Sequence, residues 1–469
     1  MKPTSQQEAI WAAIEARESN LMLQARAGCG KTTTIVQGLD YISPDESALF
    51  LAFGREDRAA LERKVRRPNT MKATTHSYGL AQIRNEFGYV EVDAKKAVKL
   101  AMKATRSKNI AYAAAKLADL LRSQLRSTSA EARRLAARYG IEFDGERELS
   151  EIVNVAQYVL TESAQQTETV DHADMIWLPV ELELPLAMYD RVFVDETQDL
   201  TPVQLELVRR TVKPSGRLIA VGDSRQAIYR WRGAHPSGMQ MLSAISQARE
   251  LPLSASFRCP QRVIAEAQKL VPDIVAVDGA AQGEVRRLTL EQAVREAEYG
   301  DVFVSRLNAP LVRITMELLR DGCAASMLGS SIGAGLAGLV YKMRAQSVTH
   351  LKSLLETWAT RQAGEILRDD PEALDAAADV RDRASAIIAI AASCSNVREV
   401  ADKIKRMFSD DGNFASRVTL ASTHKAKGKE WDRVYVLRDT YMRRQTTEEA
   451  NLLYVAITRA KKELVYVTE

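Results

Sequence analysis

"ARAGCGKTTT", residues Ala25 to Thr34, decides the fold. It follows the apolar run "NLMLQ" and precedes a helical pattern. A strand that ends in a glycine-rich loop and reopens as a helix turns backbone N–H groups toward a phosphate, because the first helical turn has no internal partners for them. The run is close to Gly-x-x-x-x-Gly-Lys-Ser/Thr, with Ala25 in place of the first glycine and Gly28, Gly30, Lys31 and Thr32 in register. Lys31 is expected to reach the β- and γ-phosphates of a nucleotide, and the Thr32 hydroxyl to ligate Mg²⁺. Cys29 and Thr33 complete the expected nucleotide-holding loop and turn.

A phosphate loop needs an acidic partner on another strand end. "RVFVDETQD" supplies Asp195 and Glu196 directly after a buried apolar run. The first carboxylate can hold the metal, and the second can orient and deprotonate the attacking water. A third strand end, "VGDSRQAIYRWRGA" from Val221 to Ala234, sets Trp231 between Arg230 and Arg232. A ring flanked by cations suits stacking on a nucleic-acid base beside its phosphates better than core packing. "GAGLAG", Gly333 to Gly338, fits a dinucleotide fingerprint literally, but a helix-like basic run follows it. It reads as a flexible joint or close helix packing.

The chain has 469 residues, 46% hydrophobic and 27% charged, enough for two or three domains with real cores. Its net charge of +4 is unevenly spread. Residues 91–140 hold 12 Lys/Arg and 4 Asp/Glu, and residues 141–190 hold 1 Arg and 12 Asp/Glu. Either one face turns to a polyanion or two helical surfaces are simply solvated. Cys29, Cys259, Cys323 and Cys394 form no CxxC pair, so neither a disulfide framework nor a zinc site is expected. The N-terminus "MKPTSQQEAI" has no signal pattern, and the least polar run is short and rich in Ser and Gly. A cytoplasmic protein without a membrane span is expected, in a bacterial or phage-infected cell.

Strand-like runs at "NLMLQARAG", "ALFLAFG", "RVFVDE" and "RLIAVGD" alternate with helical patterns, and a second series follows at "DVFVSR", "VTLAST", "RVYVLR" and "ELVYVTE". The alternation predicts α/β architecture with two parallel-sheet cores, each interrupted by a mainly helical insertion. The expected boundaries are 1–90 with 185–255 for the first core and 91–184 for its insertion. The second core takes 256–335 with 413–469, and its shorter insertion 336–412.

Eight motifs in order resemble the superfamily-1 DNA helicases of the UvrD/PcrA/Rep type: "TSQQEAI", "AGCGKTT", "TTHS", "VDETQD", "VGDSRQAIYRWRGA", "LSASFRC", "STHKAKGKEWDRVYV" and "NLLYVAITRAKKEL". The resemblance implies two RecA-like P-loop NTPase cores, with ATP and Mg²⁺ as cofactors. It implies that Gln6 reads adenine, Phe257 stacks on it, Gln226 senses the γ-phosphate and Glu430 contacts the ribose. It makes Arg258 and Arg459 arginine fingers from the second core, so that hydrolysis requires closure. Thr75, His76, Ser77 and His424 would touch the DNA strand, and Trp231 would stack on its bases.

This sequence departs from the family in "GDSRQ", which lacks two usual carboxylates, in Arg230 and in Lys429. The short second insertion and the last strand's place at the terminus suggest a compact form. The expected activity is ATP-dependent 3′-to-5′ unwinding of DNA, on single strands and tailed or forked duplexes, with a loader, nuclease or repair factor as partner. The alternative is a DNA-stimulated ATPase subunit that unwinds little alone.

Overall fold

The computed structural model describes residues 2–229, 233–235, 237–371, 373–408, 417–441 and 446–468. The chain divides into two compact units, Met1–Ser254 and Ala255–Glu469.

The first unit is built on strands β1 (Leu21–Ala25), β2 (Ala48–Ala52), β3 (Thr70–Thr74), the short pair β4 (Glu91–Val92) and β5 (Thr169–Val170), then β6 (Tyr189–Val194), β7 (Val212–Gly222) and β8 (Arg249–Leu253). Six of them form one sheet in the order β3-β2-β6-β7-β1-β8, parallel throughout. Parallel neighbours require crossovers, which put helices on both faces. These are α1 (Ser5–Ala16), α2 (Lys31–Gln37), α3 (Arg55–Lys64), α4 (Thr75–Phe87), α5 (Lys96–Ala104), α6 (Lys108–Gln124), α7 (Ser129–Arg138), α8 (Gly145–Gln165), α9 (Asp174–Glu181), α10 (Pro202–Arg210) and α11 (Gly238–Ser246). Successive strand side chains point to opposite faces. Leu21, Leu23, Phe50 and Phe193 pack with Ile10, Trp11 and Ile14 of α1. Met22, Leu49, Leu51 and Val192 join the other core, which continues into α5–α9.

Helices α5–α9 are the first insertion, and a buried charge cluster organises it. Lys96 Nζ donates to Asp174 at 2.8 Å, and the Arg122 guanidinium reaches Asp171 at 3.2 Å, Asp174 and Asp119. Arg122 also lies over the Trp177 ring, 5.9 Å from its centre. Lys96, Arg122, Asp171 and Asp174 are all buried. Arg133 pairs with Glu146 nearer the surface. The basic and acidic halves of this stretch therefore neutralise each other in part, instead of presenting all their charge to a partner.

The second unit carries the parallel pair β9 (Ala255–Ser256) and β10 (Val275–Ala276). Its main sheet joins β11 (Glu284–Thr289), β12 (Val302–Ser305), β13 (Ala325–Met327), β14 (Val418–Ser422), β15 (Trp431–Leu437) and β16 (Ala460–Thr468). Their order is β11-β16-β15-β12-β14-β13, again parallel. The helices are α12 (Gln261–Gln268), α13 (Leu290–Glu296), α14 (Asn308–Arg320), α15 (Ser330–Lys342), α16 (Val348–Asp369), α17 (Leu374–Ala391), α18 (Val397–Met407), α19 (Thr423–Ala426) and α20 (Thr447–Ile457).

The break expected between 335 and 336 falls inside α15. "GAGLAG" is part of that helix, and a Cβ at Gly333 would lie 2.7 Å from the Phe408 Cβ, so the glycine serves close packing. Leu355, Ile387 and Ile404 of the second insertion share one core with Phe303, Leu420 and Val465 of the sheet. Asp382 of α17 ties them further by accepting from the N–H groups of Asn308 and Ala309 at 2.8 and 3.0 Å, capping α14. Among the described residues no helix is long and apolar enough to cross a membrane.

The charge cluster yields a stability prediction. Asp174→Ala leaves Arg122 and Lys96 short of a buried partner, and removal of one member of such a group costs about 3–5 kcal/mol. Hydrogen exchange in α6 and α9 should show opening easier by that amount. Unchanged protection would mean that Asp119 and Asp171 suffice.

Candidate active site

In the first unit β1 ends at Ala25, and the loop to α2 turns through Gly28 at φ 72° and Gly30 at φ 77°. Only glycine takes this left-handed backbone without strain, so the two glycines permit the tight loop. Thr34 locks it from the helix side: its hydroxyl donates to the Gly30 carbonyl at 3.0 Å and accepts from Gln7 Nε2 at 3.0 Å. Trp11 Nε1 donates to the Thr34 carbonyl at 2.9 Å. The brace of Gln7 and Trp11 is not legible in the sequence, where only Gln6 of this helix carries a motif position.

The acidic partners stand at the ends of β6 and β7. Lys31 Nζ pairs with Glu196 Oε1 at 2.9 Å, and the Thr32 hydroxyl donates to Asp195. Glu196 is a non-glycine residue at φ 52°, a strained conformation of the kind that gathers at functional sites. Gln198 holds it, donating its amide to the Glu196 carboxylate while accepting from the Asp223 N–H at 2.9 Å. Asp223 is fully buried; it pairs with Arg26 at 3.6 Å and accepts from Gln226 Nε2 at 2.7 Å. Neither Arg26 nor Asp223 was singled out from sequence. Asp223 could have been, since "VGD" repeats the strand-end carboxylate of "FVD".

Burial pushes the Asp195 carboxyl up to about 6, and the neighbouring Glu196 adds to this against the pull of Lys31 and the Thr32 hydroxyl. Burial also raises Asp223, against Lys31 and Arg26. Lys31 itself is pushed down by burial, but Glu196, Asp223 and Asp195 outweigh that and hold it above the usual ammonium range. The site thus sets two cations, Lys31 and Arg26, among three carboxylates. Hard oxygen donors at Thr32 and Asp195, already directed at one another, suit Mg²⁺ completed by water and phosphate oxygens. Among the described residues there is no group of three or more His, Cys, Asp or Glu side chains that could hold a metal.

Gln6 is half-buried, and both ends of its amide engage Ser254: Nε2 donates to Oγ at 3.0 Å and Oε1 accepts from the N–H at 2.8 Å. Cys29 is buried, and Thr33 lies in the first turn of α2. Thr75, His76 and Ser77 open α4. Thr75 is buried and accepts from Gln204 Nε2 at 2.9 Å. Ser77 exchanges a reciprocal cap with Thr74, through bonds of 2.9 and 3.1 Å. His76 is half-buried, edge-on to His172 with ring centres 6.4 Å apart. Trp231, with Arg230 and Arg232, lies outside the described residues.

The second unit gathers a separate set from three distant stretches. Arg258 follows β9, Glu430 precedes β15 and Arg459 lies between α20 and β16. Arg258 Nε pairs with Glu430 at 2.6 Å and Nη1 reaches the Thr458 carbonyl at 3.4 Å. Arg459 is buried, donating to the carbonyls of Val455 at 2.9 Å and Lys429 at 3.2 Å and to the Thr458 hydroxyl at 3.2 Å. Phe257 is half-buried beside Arg258 in the chain. His424, in the first turn of α19, is half-buried next to Thr423, whose hydroxyl is 2.6 Å from that of Tyr441.

The amino-acid sequence matches two helicase family models. The UvrD/REP helicase N-terminal domain matches residues 6–245, and the UvrD-like helicase C-terminal domain matches residues 417–467. Similar proteins include F-box DNA helicase protein 1 of Schizosaccharomyces pombe, 26% identical over 59% of this chain and 34% of that protein. The ATP-dependent DNA helicase Rep of Buchnera aphidicola is 24% identical over 55% of this chain and 44% of its own length. Rep of Escherichia coli is 37% identical over 81 residues, 17% of this chain and 12% of that one. The matches thus span less than half the length of each of these relatives.

The ion pair at the phosphate loop can be measured directly. Lys31→Met should destabilise the first unit more than the double variant Lys31→Met/Glu196→Gln, because the single change strands a carboxylate. A coupling of about 0.5–3 kcal/mol in thermal unfolding is expected for groups in contact. Strictly additive effects would show that the two side chains do not meet in solution.

Proposed function

The chain belongs to the UvrD/Rep helicase family, and from that premise we propose that it couples ATP hydrolysis to 3′-to-5′ movement along single-stranded DNA and to unwinding of tailed or forked duplexes. The observation that carries the catalytic part is the meeting of Lys31 and Thr32 with Glu196 and Asp195 at the carboxyl edge of one parallel sheet. The γ-phosphate competes with Glu196 for Lys31. As Lys31 turns to phosphate, Glu196 is freed to accept a proton from the attacking water, with Gln198 still orienting its carboxylate. Mg²⁺, when bound, would be held by Thr32 and Asp195 and would neutralise charge on the β- and γ-oxygens.

Gln226, anchored on Asp223 beside Lys31, is the sensor of the third phosphate. In this reading Gln6 presents its amide to adenine, with Cys29, Gly28, Gly30 and Thr33 around the phosphates. Phe257 and Glu430 serve the base and ribose, and Arg258 and Arg459 supply positive charge to the transition state. Such arginines raise rates by roughly 10³–10⁵. His76, Thr75, Ser77, Trp231 and His424 form the DNA path. Of the α4 triplet, Thr75 accepts from Gln204 and Ser77 caps the helix with Thr74. Stacking one base on a ring contributes roughly 1–3 kcal/mol, comparable with about 1.4 kcal/mol for one DNA base-pair step. Advance of about one base pair for each grip and release is therefore energetically balanced.

Glu196→Gln should bind ATP and turn it over about 10²–10⁴-fold more slowly, the usual weight of a general base; near-normal turnover would assign the base elsewhere. Lys31→Ala should abolish hydrolysis while strand binding stays measurable. With Gln6→Ala, the preference for adenine over guanine nucleotides should fall toward one; an unchanged preference would leave Gln6 only its tie to Ser254. Strand displacement on 3′-tailed, 5′-tailed and blunt duplexes, with Glu196→Gln as the blank, tests the whole reading. Unwinding of the 3′-tailed duplex alone is expected. ATP turnover stimulated by single strands, without unwinding, would replace this reading with that of a translocase working inside a complex.

A further inference from the structure

We propose that Gln124, the last residue of insertion helix α6, is a positioning residue through which the first insertion sets the DNA dependence of ATP turnover. The inference rests on the function proposed above and adds to it a residue outside every motif. Gln124 Nε2 donates to the Gly233 carbonyl at 2.6 Å. Gly233 stands at φ 93°, and a Cβ there would meet Ser123 Oγ at 2.9 Å and Gln124 Nε2 at 3.1 Å. The backbone at Gly233 thus lies against the side chains that end α6, in a left-handed conformation that favours glycine, and the amide bond is made at that close approach.

Gly233 closes the segment that begins at Gln226. At the near end the Gln226 amide is held by Asp223, beside Lys31 and Arg26. Ile228 is fully buried, and the Tyr229 ring stacks on Phe53 with centres 6.3 Å apart. The Ala234 N–H returns to the Tyr229 carbonyl at 3.3 Å. Gln226 is therefore held by Asp223 and Gly233 by Gln124, and the Ala234–Tyr229 bond joins the described residues on the two sides.

The insertion end is itself stiff. Two residues before Gln124, the Arg122 guanidinium is locked among Asp119, Asp171 and Asp174. The helix closes through Leu125 in the left-handed region, and the Arg126 N–H bonds to the Leu121 carbonyl at 3.0 Å. A displacement of α6 must therefore move the Gly233 carbonyl or break one hydrogen bond. By linkage, the factor by which DNA changes ATP affinity equals the factor by which ATP changes DNA affinity. Loosening this one contact should lower both together.

The test uses the full chain with Gln124→Met, which keeps the bulk and loses the donor, and Gln124→Glu, which sets a carboxylate against the carbonyl. Trp231→Ala serves as the control for the strand-binding reading. Without DNA, turnover and KM for ATP should stay within about twofold of the parent for both Gln124 variants, and melting temperatures should be unchanged. Stimulation by single-stranded DNA should fall about two- to tenfold for Gln124→Met, as for one lost hydrogen bond, and further for Gln124→Glu. The tightening of DNA binding by a non-hydrolysable ATP analogue should fall by the same factor. Parental stimulation and coupling in both Gln124 variants would overturn the proposal, as would equal loss of DNA-free and DNA-stimulated turnover, the mark of a merely structural role. Retained stimulation in Trp231→Ala would instead count against the strand-binding reading itself.

Discussion

Lys31 is a cation at the carboxyl edge of a parallel sheet, and keeping it charged there constrains everything around it. Burial works against an ammonium group, and three carboxylates offset that: Glu196 in direct contact, with Asp195 and Asp223 nearby. They can do so because parallel strands all end on the same edge, which brings the ends of β1, β6 and β7 together although the residues are far apart in sequence. The same gathering keeps Asp195 unusually ready to hold a proton and gives Asp223 two further tasks, on Arg26 and on Gln226. A site so internally compensated has partners to exchange when phosphate arrives. Glu196, which contacts Lys31, is also the residue of this group with a strained, left-handed backbone.

The two helical insertions solve the problem of attachment differently. The first has a core continuous with one face of its sheet, and a buried charge cluster at its heart. Such clusters contribute less to net stability than their short distances suggest, because desolvation offsets the attraction. Their geometry is demanding, however, and here it fixes the end of α6 against the segment that leaves the nucleotide site. The second insertion packs apolar side chains against its sheet. It merges with the second core through aliphatic packing and the Asp382 cap on α14, so it belongs mechanically to that unit.

Much was legible in the sequence because it depends on neighbours along the chain. The phosphate loop, the apolar strands before Asp195 and Asp223, and the alternation of strand and helix are local patterns with local causes. For "GAGLAG" the residues allow two readings, a flexible joint or close helix packing, and only the fold chooses between them: Gly333 lies within a helix and is small because Phe408 packs on it from a distant stretch. The unequal charges of residues 91–190 looked like a surface property. Lys96 and Arg122 proved to have their opposites inside the same insertion, folded back on them.

The sequence alone determined the two-core α/β plan, the phosphate loop and the residue types that surround it, since periodicity and motif spacing reflect backbone geometry that each segment carries with it. Only the tertiary structure decided which side chains are occupied by the fold. Thr75 is held by Gln204, Ser77 by its own cap, Arg459 by backbone carbonyls, and Gln124 is placed on Gly233 by a helix that begins over a hundred residues earlier in the chain. The pairs Thr75–Gln204 and Gln124–Gly233 join residues distant in sequence, while the Ser77 cap and the Arg459–Val455 bond are local contacts completed in the fold. They arise because burial obliges each polar group to find a partner, and which partner lies within reach is settled only when the elements pack.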